Sequence, residues 1–74
     1  MSAFDPLCLS LYEAGAALID DNPQADRAAL VDLYDVLEQA TLAGDGGAAL
    51  AALTQMQAVA AVPATVAAWE RLAA

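Results

Sequence analysis

The stretch from Asp26 to Leu42 (DRAALVDLYDVLEQATL) constrains the fold most, because its apolar side chains recur at helical spacing. At about 100° per residue, Leu30, Leu33 and Leu37 fall within roughly 60° of one another on a helix. The acidic side chains of the stretch lie on the opposite arc: Asp32, Asp35 and Glu38. A ridge of leucines opposite a row of carboxylates is typical of an amphipathic helix, with one face in a core and the other in water.

The first segment of the chain is also interpreted as a helix. Pro6 suits the first helical position, and Asp5 before it can cap the helix. Phe4 would staple this cap by packing on Leu9. Gly15 lies in the apolar arc, where it costs roughly 1 kcal/mol of helix propensity. We therefore expect another helix to cross closely at this glycine.

Turn and cap residues mark where the later helices begin and end. The second helix begins either at Pro23 or at Asp26, and Gly44 ends it as a left-handed cap. Asp45 can cap the third helix, and Pro63 stops it because proline lacks the helical N–H. Short loops predict antiparallel neighbours, so we expect one all-α domain over all 74 residues, a small antiparallel three- to four-helix bundle.

The alanine-rich third helix has a weaker amphipathic pattern. We expect its core side to consist of Ala49, Leu50, Leu53, Met56 and Ala60. Ala52 and Val59 lie off this arc, and because small side chains let another helix approach closely, they predict a self-association face. In the short last helix, Val66, Trp69 and Leu72 recur at one-turn spacing, which favours a core position for Trp69, with a partner contact as the open alternative.

The chain is short for a self-sufficient core. Hydrophobic residues make up 61% of its 74 residues, but much of this is alanine, and aromatic residues make up only 5%. A chain of this length is near the lower limit at which a single core is enough. Self-association or docking on a larger protein would supply the missing burial, so a homodimer is one of our expectations.

The residue types that most catalysis requires are scarce. There is no histidine or lysine to activate a hydroxyl or thiol, and Cys8 lies on the apolar arc of the first helix, where a thiol is inert. Polar residues alternate from Asp20 to Asp26 like the first ligands of a calcium loop, but Ala25 and Val31 replace its glycine and glutamate. We therefore expect no enzymatic activity, no cofactor and no metal site.

The charge balance restricts the partners. Ten acidic residues against two basic ones give a net charge of −8. Such a chain repels nucleic acid and anionic membranes, so we expect it to bind neither directly. The charge suits a basic partner, or it serves solubility alone, and both interpretations are open.

The compartment expected from the sequence is the cytoplasm. The chain has a single cysteine, and its N-terminus lacks the basic start of a signal peptide. Residues 46–69 contain no charge, but they are rich in alanine and include threonine, glutamine and proline. A membrane span needs about 20 predominantly apolar residues, so we expect no span here.

The outer side of the second helix is the leading candidate for a partner-binding site. Val31 and Leu42 project there at about 260° and 280° from Asp32, in the same arc as Asp35 and Glu38. Apolar side chains among carboxylates suit a protein partner that is basic but not purely polar. The alternative is that these are ordinary exposed apolar residues of a small bundle.

These features predict a small acidic binding protein that regulates or inhibits a larger protein or complex by occupying its basic, or even nucleic-acid-binding, surface. A sharper version is mimicry of nucleic acid, in which carboxylates stand in for phosphates. In size and charge the chain is similar to small acidic phage proteins that disable host defences, including some anti-CRISPR proteins, which implies an inhibitor. The alternative is a homodimeric structural or adaptor subunit that docks through the third and fourth helices.

Overall fold

The described part of the chain, residues 6–73 of a computed structural model, consists of helices and short loops. Its elements in chain order are α1 (Pro6–Asp21), α2 (Arg27–Ala43), α3 (Gly46–Ala60) and α4 (Ala64–Ala73). No strand occurs within these residues, and the predicted all-α helical bundle is confirmed. The Asp5 cap and the Phe4 staple lie outside the described residues.

Local signals fix the ends of α2 and α3. The Asp26 carboxylate accepts a hydrogen bond from the Ala29 N–H at 3.2 Å, and the Asp45 carboxylate accepts one from the Ala48 N–H at 3.0 Å. Gly44 adopts the left-handed conformation with φ 68°, as the sequence predicts. These contacts confirm the caps at Asp26, Gly44 and Asp45.

The alternative start of α2 at Pro23 is wrong. The Asn22 side chain donates to the Leu18 carbonyl at 2.9 Å, so it satisfies the end of α1 instead of capping a new helix. Helical structure resumes only at Arg27, after the Asp26 cap. The polar residues of this loop therefore complete helix ends, and no group of three metal-ligating side chains forms within the described part of the chain.

Helices α1, α2 and α3 pack on one another in all three pairings and enclose the core. The largest fully buried side chains are Leu30, Leu37, Met56 and Cys8. Gly15 lies at the crossing, where an added Cβ would be 2.6 Å from Leu37 Cδ2 and 3.2 Å from Tyr34 Cδ1. The close crossing expected at this glycine is confirmed.

The predicted core side of α3 is confirmed at four of its five residues, which are buried, and is wrong at Leu50: Ala49, Leu53, Met56 and Ala60. Ala52 is only 2% exposed, whereas Leu50 is 56% exposed. Val59 is partly buried and packs against the core. The prediction that Ala52 and Val59 form an outer face is therefore wrong in placement, because the alanine-rich side of α3 permits the closest approach of its neighbours.

Helix α4 is attached to the bundle mainly through its first residues. Pro63 pairs with Ala25 in an isolated antiparallel bridge, and the Ala64 N–H donates to the Gln24 carbonyl at 2.8 Å. Beyond this point the described residues of α4 share no extended interface with α1, α2 or α3. Trp69 is 73% exposed, so the prediction that it lies in the core is wrong.

The described helices differ from membrane spans in length and hydropathy. None of those between residues 6 and 73 is both long enough and apolar enough to cross a bilayer.

Candidate functional site

An open groove of about 310 Å³ lies between α1 and α2. It is lined by Leu9, Tyr12, Glu38, Thr41 and Leu42. Two leucines supply apolar walls, and Glu38 is the one carboxylate among the lining side chains. This volume is at the lower end of the roughly 300–1,000 Å³ typical of ligand pockets, so the groove suits one long side chain better than a large cofactor.

A tyrosine of α1 orients the carboxylate of the groove. The Tyr12 hydroxyl donates a hydrogen bond to Glu38 Oε2 at 3.1 Å, and this bond links residues 26 positions apart. The Tyr12 ring stacks on Tyr34 with ring centroids 4.7 Å apart and planes 20° apart. The stack belongs to the α1–α2 interface. The Tyr12 side chain is therefore fixed by two contacts, the stacking of its ring and the hydrogen bond of its hydroxyl.

The environment of Tyr12 favours its neutral form. Its interaction with the Tyr34 side chain, its partial burial and the adjacent Glu38 carboxylate together raise the pKa of Tyr12 above its ordinary value. The hydroxyl is protonated at neutral pH, as in an ordinary tyrosine, and the raised pKa extends its role as a donor to Glu38 to more alkaline pH. Tyr12 acts at this site as a positioning group for the carboxylate.

The remaining polar group of the groove is already engaged. Thr41 is buried, and its hydroxyl donates to the Leu37 carbonyl one turn earlier in α2 at 2.8 Å. This local bond satisfies the hydroxyl within its own helix. The polar chemistry that the groove offers to an occupant is therefore concentrated in the Glu38 carboxylate.

The structure brings together two of the five residues predicted to bind a partner. Glu38 is half-buried in the groove wall, and Leu42 lines the groove while 58% exposed. Val31 and Asp35 are exposed on the same flank of α2, outside the lining. Asp32 is exposed about 60° further around the helix from Asp35, so it lies at the margin of this surface.

The groove side of α2 carries mostly acidic and apolar residues along its length. Arg27 is exposed at its first turn and marks the basic end of this flank. Four residues follow this arginine on the same flank: Val31, Asp35, Glu38 and Leu42. These residues and the lining of the groove together form a surface that we call the acidic groove face. Its carboxylates and leucines are the features that a partner would meet.

Three lining residues were not predicted: Leu9, Tyr12 and Thr41. In the sequence, Leu9 and Tyr12 are one turn apart on α1, and Thr41 flanks the leucine ridge of α2. A short connection between α1 and α2 indicates that the start of α1 lies beside the end of α2. That signal pairs Leu9 with Leu42 in principle, but the register of the two helices decides whether a gap opens between them.

The fold and the site define a small all-α bundle with a partly apolar groove that contains a carboxylate. Comparison with protein-family models, with curated proteins and with solved structures found no match to this chain. The function is therefore inferred from the chemistry of the acidic groove face.

Proposed function

We propose that this chain is a small, non-catalytic binding protein that regulates or inhibits a larger protein by occupying a basic surface of it. The observation that carries the proposal is the acidic groove face, where Glu38 stands in an apolar groove beside exposed Asp35. The net charge of −8 draws the protein towards basic surfaces and repels acidic ones.

The chemistry of the groove supports binding over catalysis. Nucleophilic catalysis needs a nucleophile with a base that activates it, most often histidine, and the sequence contains none. The Thr41 hydroxyl is engaged by the Leu37 carbonyl. The raised pKa makes the Tyr12 hydroxyl harder to deprotonate than that of an ordinary tyrosine, so this group donates to Glu38 instead of attacking a substrate.

A narrower form of the proposal is mimicry of nucleic acid, as in anti-CRISPR-like inhibitors that block a nucleic-acid-binding protein. Asp32, Asp35 and Glu38 rise along α2 by about 4.5 Å each, near the 3.4 Å per charge of one DNA strand. Leu9 and Leu42 beside them have no counterpart in a phosphate backbone. This combination favours a basic protein surface that also has apolar residues.

A second candidate function is a homodimeric adaptor that docks through α4. The observation that favours it is a row of exposed apolar residues at one-turn spacing on this helix: Val66, Trp69 and Leu72. Exposed apolar rows of this kind are typical of interaction surfaces. Sedimentation equilibrium at high micromolar concentration tests it: a dimer that Trp69→Ala dissociates supports the candidate, and a monomer contradicts it.

The experiment for the leading proposal is affinity capture from a lysate of the organism that makes the protein, followed by binding measurements with the captured partner. Wild-type protein is compared with the double variant Asp35→Lys/Glu38→Lys and with the control Asp21→Lys/Glu70→Lys. Both double variants change the net charge equally, but the control positions are exposed and lie outside the acidic groove face. The comparison therefore separates this face from overall charge.

We expect the wild type and the control to retain a basic partner, and the acidic-groove variant to bind it at least about tenfold more weakly. Binding should also weaken as the Debye length falls from about 30 Å at 0.01 M salt to about 8 Å at 0.15 M. Equal binding by both double variants would contradict the proposal. We place this function in the cytoplasm, a compartment that suits a chain whose one cysteine is unbridged.

A further inference from the structure

We infer that the groove between α1 and α2 is a socket for an arginine side chain that the basic partner supplies. The inference rests on the proposed function, because it names the group of the partner that enters the acidic groove face. It follows from three properties of the groove: its apolar walls, the hydrogen bonding of Glu38 and the absence, among the side chains that the structure describes, of a cation paired with that carboxylate.

The first property is the shape and polarity of the walls. Leu9 and Leu42 are both substantially exposed where they line the groove. A long aliphatic stem that lies between them would remove their apolar surface from water. Arginine and lysine have such stems and keep their charged ends at a polar site while the stem is buried.

The second property is the hydrogen bonding of Glu38. An ionised carboxylate has about four acceptor sites. In the described part of the chain the Glu38 carboxylate accepts one side-chain hydrogen bond, from Tyr12 to Oε2. Oε1 is thus left to an occupant of the groove, and Tyr12 fixes the direction in which it points.

The third property concerns charge. No cationic side chain that the structure describes forms an ion pair with Glu38, and the chain as a whole has only two basic residues. A purely apolar occupant would bury Oε1 of this carboxylate without a hydrogen-bond donor and the negative charge without a cation, which costs free energy. The occupant must therefore bring hydrogen-bond donors, and a positive charge serves best.

Arginine meets these requirements better than lysine. A guanidinium is planar and presents a fork of N–H donors to a carboxylate, whereas an ammonium acts as a point charge. The guanidinium is also more weakly hydrated than an ammonium. It therefore loses less hydration free energy when it enters a groove whose walls are mostly apolar. The Tyr12 ring in the lining adds an aromatic surface with which guanidinium groups associate favourably.

The test uses the full chain and three peptides of identical length, Ac-Gly-Leu-X-Leu-Gly-NH₂, in which X is arginine, lysine or citrulline. Citrulline has nearly the shape of arginine but no charge. Chemical-shift titration of the isotopically labelled protein measures each affinity and the residues affected. We expect the arginine peptide to shift Thr41 and Leu42, with an affinity at least about tenfold above that of the citrulline peptide.

Protein variants supply the matched controls. Glu38→Gln keeps an acceptor for Tyr12 and removes the charge, so the affinity for the arginine peptide should fall about tenfold. Glu70→Gln makes the same change on α4 and should alter affinity by less than about twofold. Leu42→Ala should weaken binding about threefold or more, whereas Val36→Ala, which truncates a similarly exposed residue outside the groove, should not.

Equal affinities for the arginine and citrulline peptides, or equal effects of Glu38→Gln and Glu70→Gln, would overturn the socket. A lysine peptide that binds as tightly as the arginine peptide would overturn the assignment to arginine. The socket and the proposed function fail separately. If no peptide binds but the captured partner still depends on Asp35 and Glu38, only the socket is wrong; if the peptide binds and no partner is captured, only the proposed function is wrong.

Discussion

The Tyr12 hydroxyl oxygen lies 3.1 Å from Glu38 Oε2 and connects α1 to α2 at the groove. This hydrogen bond does two things at once. It joins the two helices whose separation forms the groove, and it orients the only carboxylate in the lining. A tyrosine is protonated throughout the neutral pH range, and the raised pKa of Tyr12 keeps the donor in place at more alkaline pH as well. The geometry of the site is therefore set before a partner arrives.

The stability of the fold should decrease as pH rises above about 10, the ordinary pKa of tyrosine. The pKa of Tyr12 is raised in the folded protein. At pH values between the ordinary and the raised pKa, the unfolded chain releases a proton that the folded protein retains, so unfolding becomes more favourable. The stabilisation is fully present below about pH 10. Urea unfolding at a series of pH values measures the decrease.

Tyr12→Phe is the control for this pH dependence. The variant has no hydroxyl to titrate, so its stability should fall less above about pH 10 than that of the wild type. An ultraviolet titration should show one of the two tyrosines of the wild type ionising late, and this step should be missing in the variant. If the stability of the wild type and of Tyr12→Phe depended on pH in the same way, the raised pKa of Tyr12 would be contradicted.

Gly15→Ala should destabilise the protein, although alanine is the better helix former. The added Cβ would be 2.6 Å from Cδ2 of Leu37, and Leu37 is fully buried and cannot move into solvent. Overpacking of this kind typically costs about 1–3 kcal/mol. Gly47→Ala is the matched control, because its Cβ would meet only Asp45 Oδ1 at 3.6 Å. Urea unfolding should show a lower free energy of unfolding for Gly15→Ala and no decrease for Gly47→Ala.

Asp45→Ala should lower the free energy of unfolding by about 1 kcal/mol. The substitution removes the carboxylate that accepts from the Ala48 N–H at the start of α3. Asp32→Ala removes the same charge from an exposed position inside α2, where alanine is a good helix former. Chemical unfolding measures the stability of both variants, and the difference between them separates the effect of the helix cap from the effect of the lost charge. Equal losses would show that Asp45 contributes only its charge.

Trp69→Ala should change the free energy of unfolding by less than about 0.5 kcal/mol. The side chain is 73% exposed on α4, and the part of this helix that the structure describes shares no extended interface with the bundle. Leu37→Ala is the contrasting variant, because it truncates a fully buried residue and should cost about 2–5 kcal/mol. Denaturant unfolding checks both. A large loss for Trp69→Ala would contradict the position of α4.

The second helix and its caps were predictable from the sequence because their signals are local. The Asp26 cap, the left-handed Gly44 and the leucine ridge depend on residues within one or two turns of each other. Gly15 was predictable for a related reason, since a glycine in an apolar helical arc has few explanations other than a close crossing. These features needed no knowledge of the tertiary arrangement.

The burial of Ala52 in place of Leu50 on α3 and the environment of α4 were not predictable in the same way. Alanine and leucine alternate around α3, so its pattern does not distinguish a core made with Leu50 from one made with Ala52. Because α1 and α2 both pack closely against α3, the smaller residue, Ala52, is the one that faces them. On α4 the spacing of Val66 and Trp69 reveals an apolar side but not whether another element covers it.

The candidate site was predicted in part. Glu38 and Leu42 were identified on α2, but the groove also requires Leu9 and Tyr12 of α1. Their distance along the chain hides this relationship, because it depends on the register of two packed helices. Helical periodicity within α2 describes one wall of the groove and gives no information about the opposite wall.

The most direct test of the central claim is a set of intermolecular nuclear Overhauser effects between the arginine peptide and the methyl groups of the protein. If the groove between α1 and α2 is the socket, the arginine δ-methylene protons should give cross-peaks to the methyls of Leu9 and Leu42. Cross-peaks only to methyls elsewhere, such as those of Val36 or Val66, would contradict the account.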